Sequence, residues 1–196
     1  MKIVNSFFLV SFLFSVSCHM TNVNHDKKLN DSSTVSNSTA VSQPLPEEII
    51  TGDFNGDGKK EQAWVEKPLY NQDSTDCNGA CITVIHFSDT TIPAIEISRA
   101  ISAEISNLRN LNKHPADEIG VWPGSFAGCW NDYHVYSLSG NQWIEAVKPF
   151  PVHCNQWEEG IPPVKADSLR TGYVFISYSK HTGKGIETKT KSVPVH

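Results

Sequence analysis

The stretch Gly52-Asp53-Phe54-Asn55-Gly56-Asp57-Gly58-Lys59-Lys60-Glu61, followed by Gln62-Ala63-Trp64-Val65, decides how the chain is read. Oxygen-bearing side chains fall on alternate positions at Asp53, Asn55 and Asp57, with Gly58 next and Glu61 three residues further on. A hard cation such as calcium takes roughly six to eight oxygens, and alternate residues of a tight turn point inward at that spacing. Gly58 permits the sharp reversal after the third ligand, and Lys59 offers its main-chain carbonyl. An EF-hand loop needs a bidentate Glu at its last position, where this chain has Trp64. The residues after the loop read as a strand, not as the second EF-hand helix. The spacing therefore predicts a calcium site formed by Asp53, Asn55, Asp57, Lys59 (main chain) and Glu61.

The string GDFNGDGKKEQAWV resembles the calcium loop of FG-GAP/VCBS-type repeats, as in integrin α-subunit propellers and many secreted bacterial proteins. The resemblance implies that the loop joins two strands and that the same five residues hold the ion, with Glu61 where the family usually carries Asp. A second copy lies 57 residues downstream, at Asn110-Leu111-Asn112-Lys113-His114-Pro115-Ala116-Asp117-Glu118. His114 and Pro115 replace Asp57 and Gly58 there, so this copy is expected to keep the strand pairing without the metal. The offset suits one propeller-blade repeat. Two repeats cannot close a propeller, which needs about four blades or more.

Short β-type runs dominate the rest of the chain, at 62–66, 82–87, 94–98, 104–108, 118–122, 133–138, 143–147, 173–179 and 186–192. Turn signals separate them at Asp57-Gly58, Asn78-Gly79, Ser139-Gly140-Asn141 and Thr182-Gly183. Segment 97–108 carries isoleucines at helical spacing and reads equally as strand–turn–strand. The expected fold is all-β and mainly antiparallel, a small sheet or sandwich of FG-GAP-like strand–loop–strand units with at most one short helix.

Met1-Lys2 and the apolar run that follows form a secretory signal over residues 1–17. The run is shorter than the ~20 residues that span a bilayer. It ends in Phe14-Ser15-Val16-Ser17-Cys18, which resembles a bacterial lipobox, with Ser15 where an aliphatic residue is usual. That resemblance implies an acyl chain on Cys18. Palmitate at that position would hold the protein on a membrane without spanning it. His19 in place of Asp points to the outer membrane. Residues 18–46 are rich in Ser, Thr and Asn and contain no aromatic side chain, so they read as a lipid-anchored flexible tether. The single β-rich domain is expected over 47–196.

Five cysteines are an odd number for an exported chain, and assigning Cys18 to lipid leaves four. Export favours disulfides over zinc thiolates. Of three connectivities, Cys77–Cys81 and Cys129–Cys154 are preferred, the first closing a local loop and the second stapling a hairpin. Aromatic residues concentrate between 122 and 157, and Trp122, Trp130, Tyr133, Trp143 and Trp157 are candidates for a ligand face.

The 16 Lys+Arg against 21 Asp+Glu leave a net charge of −5, which excludes a general nucleic-acid field. Residues 47–120 hold 13 acidic and 6 basic side chains, favouring a cation over a phosphate. Ser177-Tyr178-Ser179-Lys180 matches S-x-x-K in form, but its setting alternates like a strand. No catalytic residue is assigned. The sequence points to a non-enzymatic, lipid-anchored envelope protein with a structural calcium loop, binding a protein or glycan of the cell envelope. An envelope hydrolase, with Glu158 and Glu159 as suspects, and an immunity or inhibitor lipoprotein are the alternatives.

Overall fold

The computed structural model describes residues 48–71, 75–112 and 114–196, all within one compact unit. The signal segment, Cys18 and the tether lie outside the described residues. Strands β1 (Ile49–Gly52), β2 (Glu61–Glu66), β3 (Ile82–Phe87) and β4 (Ile95–Ser98) form an antiparallel meander paired in chain order. Strands β5 (Ser102–Arg109), β6 (Glu118–Gly124), β7 (Trp130–Ser139) and β8 (Gln142–His153) form a second meander of the same kind. A single helical turn, α1 (Asn155–Glu158), leads to β9 (Val164–Ala166), β10 (Tyr173–Thr182) and β11 (Gly185–Pro194), a three-stranded sheet ordered β11-β10-β9. The fold is all-β and antiparallel, as the strand periodicity predicts. Among the described residues no helix is long and apolar enough to cross a membrane.

The second meander is the middle layer of the fold. Alternate residues of a strand face opposite sides, and β6 shows the consequence. Ile119 and Val121 enter one core with Ile85, Phe87, Ile95 and Ile105, between the first and second sheets. Trp122 points the other way, into a second core with Tyr133, Val152, Val174 and Ile176, between the second and third sheets. The fully buried aliphatics of each core contribute roughly 1.5–3 kcal/mol apiece. Gly120 is required by this packing. A Cβ at Gly120 would collide with the Tyr133 hydroxyl, which lies across β6 to meet Ser106 Oγ at 2.8 Å.

Segment 97–108 resolves as strand–turn–strand. Ile95 and Ile97 alternate into the core, the chain reverses with Arg99 at φ 60°, and Ile105 re-enters from β5. The one helix among the described residues lies elsewhere, directly after Cys154, in a stretch with no helical periodicity. Cys77 pairs with Cys81 and Cys129 with Cys154. The second bridge joins the open ends of the β7–β8 hairpin, where Trp130 stands opposite His153.

Candidate functional site

The 53–61 loop connects β1 to β2, whose register sets Gly52 opposite Glu61. The second copy connects β5 to β6 with Arg109 opposite Glu118, each residue displaced by the same 57 positions. Hydrogen bonds repeat as well. The Phe54 N–H donates to Glu61 Oε2 at 2.9 Å, and the Leu111 N–H donates to Glu118 Oε2 at 2.6 Å. The Asp57 N–H donates to Asn55 Oδ1 at 3.0 Å, and the His114 N–H to Asn112 Oδ1 at 2.6 Å. Phe54 and Leu111 are the apolar anchors, each buried in one of the two cores.

What separates the two loops is the fate of the asparagine amide. In the second loop Asn112 Nδ2 donates to Glu118 Oε1 at 2.5 Å, filling the interior with a neutral donor. In the first loop Asn55 Nδ2 turns outward to Asp89 Oδ2 at 3.2 Å. The interior is then left to carboxylates. Oxygens of Asp53, Asp57 and Glu61 lie within 4.8 Å of one another. Asp53 Oδ2 accepts the Gly58 N–H at 3.0 Å, whereas buried Asp53 Oδ1 has no hydrogen-bond partner. Asp57 Oδ1 accepts the Lys59 N–H at 2.8 Å, and Lys59 Nζ reaches Asp57 Oδ2 at 3.3 Å on the exposed rim. Gly58 takes φ +87°, in the left-handed region that the reversal demands.

Burial raises the Glu61 carboxyl above its ordinary range, and the neighbouring Asp53, Asp57 and Asp89 push it further. A buried, unpaired oxygen and mutually repelling carboxylates are costly without a compensating charge. A hard divalent cation would supply that charge. The carboxylates of Asp53, Asp57 and Glu61 are the predicted ligands that converge, while Asn55 Oδ1 accepts the Asp57 N–H. Two further residues shape the loop. Asp89 orients Asn55, while Asp117 accepts the Asp53 N–H at 3.1 Å and is clamped by Asn107 Nδ2 at 2.9 Å. Asp89 and Asp117 escape sequence reasoning because they lie outside the loop's own spacing.

The candidate ligand-face aromatics do not share one surface. Trp143 stacks on Phe87 at 5.2 Å and donates Nε1–H to Pro93 O, serving the first core. Trp130 stands edge-on to His153 near the disulfide. Trp122 and Trp157 pack with ring centroids 4.8 Å apart, and Tyr133 is buried beside them. Tyr133 and Trp157 line a cleft of about 340 Å³ together with Glu48, Glu104, Ser106 and Pro162. Glu158 and Glu159 are exposed and are not among its lining residues. Ser177 and Lys180 sit three apart on strand β10, hence on opposite faces, with Ser177 buried and Lys180 exposed. Comparison with protein-family models, curated proteins and solved structures finds no match for this chain.

Proposed function

We propose that this protein is an exported, lipid-anchored, non-enzymatic envelope module. Its FG-GAP-like 53–61 loop binds one calcium ion for structural stiffening. The observation that carries the reading is the convergence of Asp53, Asp57 and Glu61 around an Asp53 oxygen that is buried and unpartnered. Asn55 and the Lys59 carbonyl complete the ligand set. Calcium there would neutralise the loop and tie β1 to β2 at the point where the two repeats meet. Extracellular calcium modules bind at roughly 10⁻⁴–10⁻³ M, a range that suits permanent occupancy outside the cell. An acyl chain on Cys18 would hold the domain at the membrane surface.

Calorimetric titration of chelator-treated protein tests the metal half of the reading. One site in that affinity range supports it, and an absence of saturable heat removes it. Labelled palmitate tests the anchor. Incorporation into the natural protein and loss in Cys18→Ser supports acylation, whereas equal labelling of both refutes it.

A further inference from the structure

The cleft beside Trp157 has a chemistry separate from the calcium loop. Its volume of about 340 Å³ lies at the small end of ligand sites. The apolar part of its wall is formed by Trp157 and Tyr133 and by the segment 161–163, which contains Pro162 and Pro163. Its charged lining residues are Glu48 and Glu104, with no Lys, Arg or His among the lining residues described. Glu104 is held in place, because Trp157 Nε1–H donates to its Oε2. Glu48, just ahead of β1, makes no hydrogen bond among the described residues. A smaller neighbouring cleft of about 230 Å³ also borders both carboxylates, with Lys67 in its wall.

We propose that this cleft binds an ammonium or guanidinium group carried on an apolar stem, the cation lying between Glu48 and Glu104 and the stem against Trp157 and the prolines. Anionic ligands are repelled by the carboxylates. A neutral ligand would make no use of the two carboxylates. A bare metal ion would find two carboxylates and an aromatic wall instead of a ring of oxygens. An organic cation satisfies both halves, through charge-assisted hydrogen bonds to the glutamates and contact with the aromatic face. Glu48 and Glu104 are both exposed at the rim, and partial desolvation together with the neighbouring Glu104 raises the Glu48 carboxyl. The same chemistry is carried by a free diamine and by a basic side chain of a peptide.

The test is a titration of the intact protein followed by Trp157 indole N–H NMR shifts. The probes are cadaverine, N-acetyl-lysine amide and the uncharged N-acetyl-norleucine amide. Saturable shifts with either cationic probe and none with norleucine support the site, and the tighter cation identifies a free amine or a peptide side chain as its source. Glu48→Gln and Glu104→Gln should each weaken binding about tenfold, the effect of losing one charge-assisted contact. A melting curve of each variant checks that it is folded. Equal binding of norleucine amide, or no saturation with either cation, overturns the proposal. Repeating the titration on Asp57→Ala separates the two sites, since cleft binding should survive there whatever becomes of the calcium reading.

Discussion

Asp53 and Asp117 bind each other in both directions. The Asp117 N–H donates to the Asp53 carbonyl at 2.6 Å, and the Asp53 N–H donates to Asp117 Oδ2 at 3.1 Å. Asn107 Nδ2 reinforces the pair by donating to Asp117 Oδ2 and to the Thr51 carbonyl at 2.8 Å. Thr51 and Asp53 belong to the strand–loop–strand unit of the first sheet, and Asn107 and Asp117 to that of the second, so the loop of one repeat is built on the loop of the other. Gly56 completes the contact. It takes φ +75°, and a Cβ there would meet Pro115 Cγ at 2.9 Å. The degenerate second loop thus keeps a task, as the platform that sets the first loop's backbone.

Glu61 and Glu118 make the metal-free protein sensitive to pH. Burial raises both carboxyls above 4.5, and the hydrogen bonds from Phe54 and Leu111 oppose that rise. The folded state therefore holds protons that the unfolded chain has released. Their contribution to stability is fully present below about pH 4.5 and is lost as pH rises through the raised folded values, by up to ~1.4 kcal/mol per pH unit for each group. Glu118→Gln removes one titration, so urea unfolding in chelator across that window should give a flatter fall. The same slope in both proteins would exclude Glu118 as its source.

Gly120 should not tolerate a methyl group. Gly120→Ala drives a Cβ into the Tyr133 hydroxyl and Ser106 Oγ, an overpacking worth about 1–3 kcal/mol. Adding Tyr133→Phe removes the colliding oxygen, and the double variant should recover part of the loss. Denaturant unfolding of the four proteins gives the coupling. Strictly additive costs would mean that the Tyr133 hydroxyl is not the obstacle.

The two disulfides should differ in worth. Cys129–Cys154 closes a sequence separation of 25 and Cys77–Cys81 one of 4. Loop entropy assigns about 3.5 kcal/mol to the longer and about 2 to the shorter. Paired Cys→Ser variants, compared by urea midpoint, should show the larger loss for Cys129 and Cys154. The reverse order would indicate that the short bridge holds a structure beyond its own loop.

Much of this architecture was readable in the residues, because β-strands advertise themselves by period and by turn chemistry. Ile82–Phe87 falls on its predicted positions, and the loops at Asp57-Gly58 and Ser139-Gly140 turn where expected. The pairings Cys77–Cys81 and Cys129–Cys154, preferred among the three connectivities that four cysteines allow, are the ones formed. Strand β1 escaped notice, since Ile49-Ile50-Thr51-Gly52 is too short to show alternation and is defined by its partner β2. Strand β9 is shorter still. Segment 97–108 was ambiguous because isoleucines four apart suit a helix face as well as two strands around a turn. The cleft was invisible. Glu48 and Glu104 stand far apart in sequence, and only the packing of β1 beside β5 brings them to one place.

Calcium-dependent thermal unfolding tests the 53–61 site most directly. Binding only to the folded state stabilises it by ~2.7 kcal/mol at a hundredfold excess over the dissociation constant. For a domain of this size the midpoint should rise by several degrees, at about 2–4 °C per kcal/mol. Magnesium should do less, because it demands a tighter octahedron. Asp57→Ala should abolish the rise. His114→Ala should leave it intact, since the Asn112–Glu118 bond already fills that loop. A midpoint that ignores calcium up to about 10 mM, well above the range of extracellular modules, would contradict the metal site and leave residues 53–61 as an ordinary acidic turn.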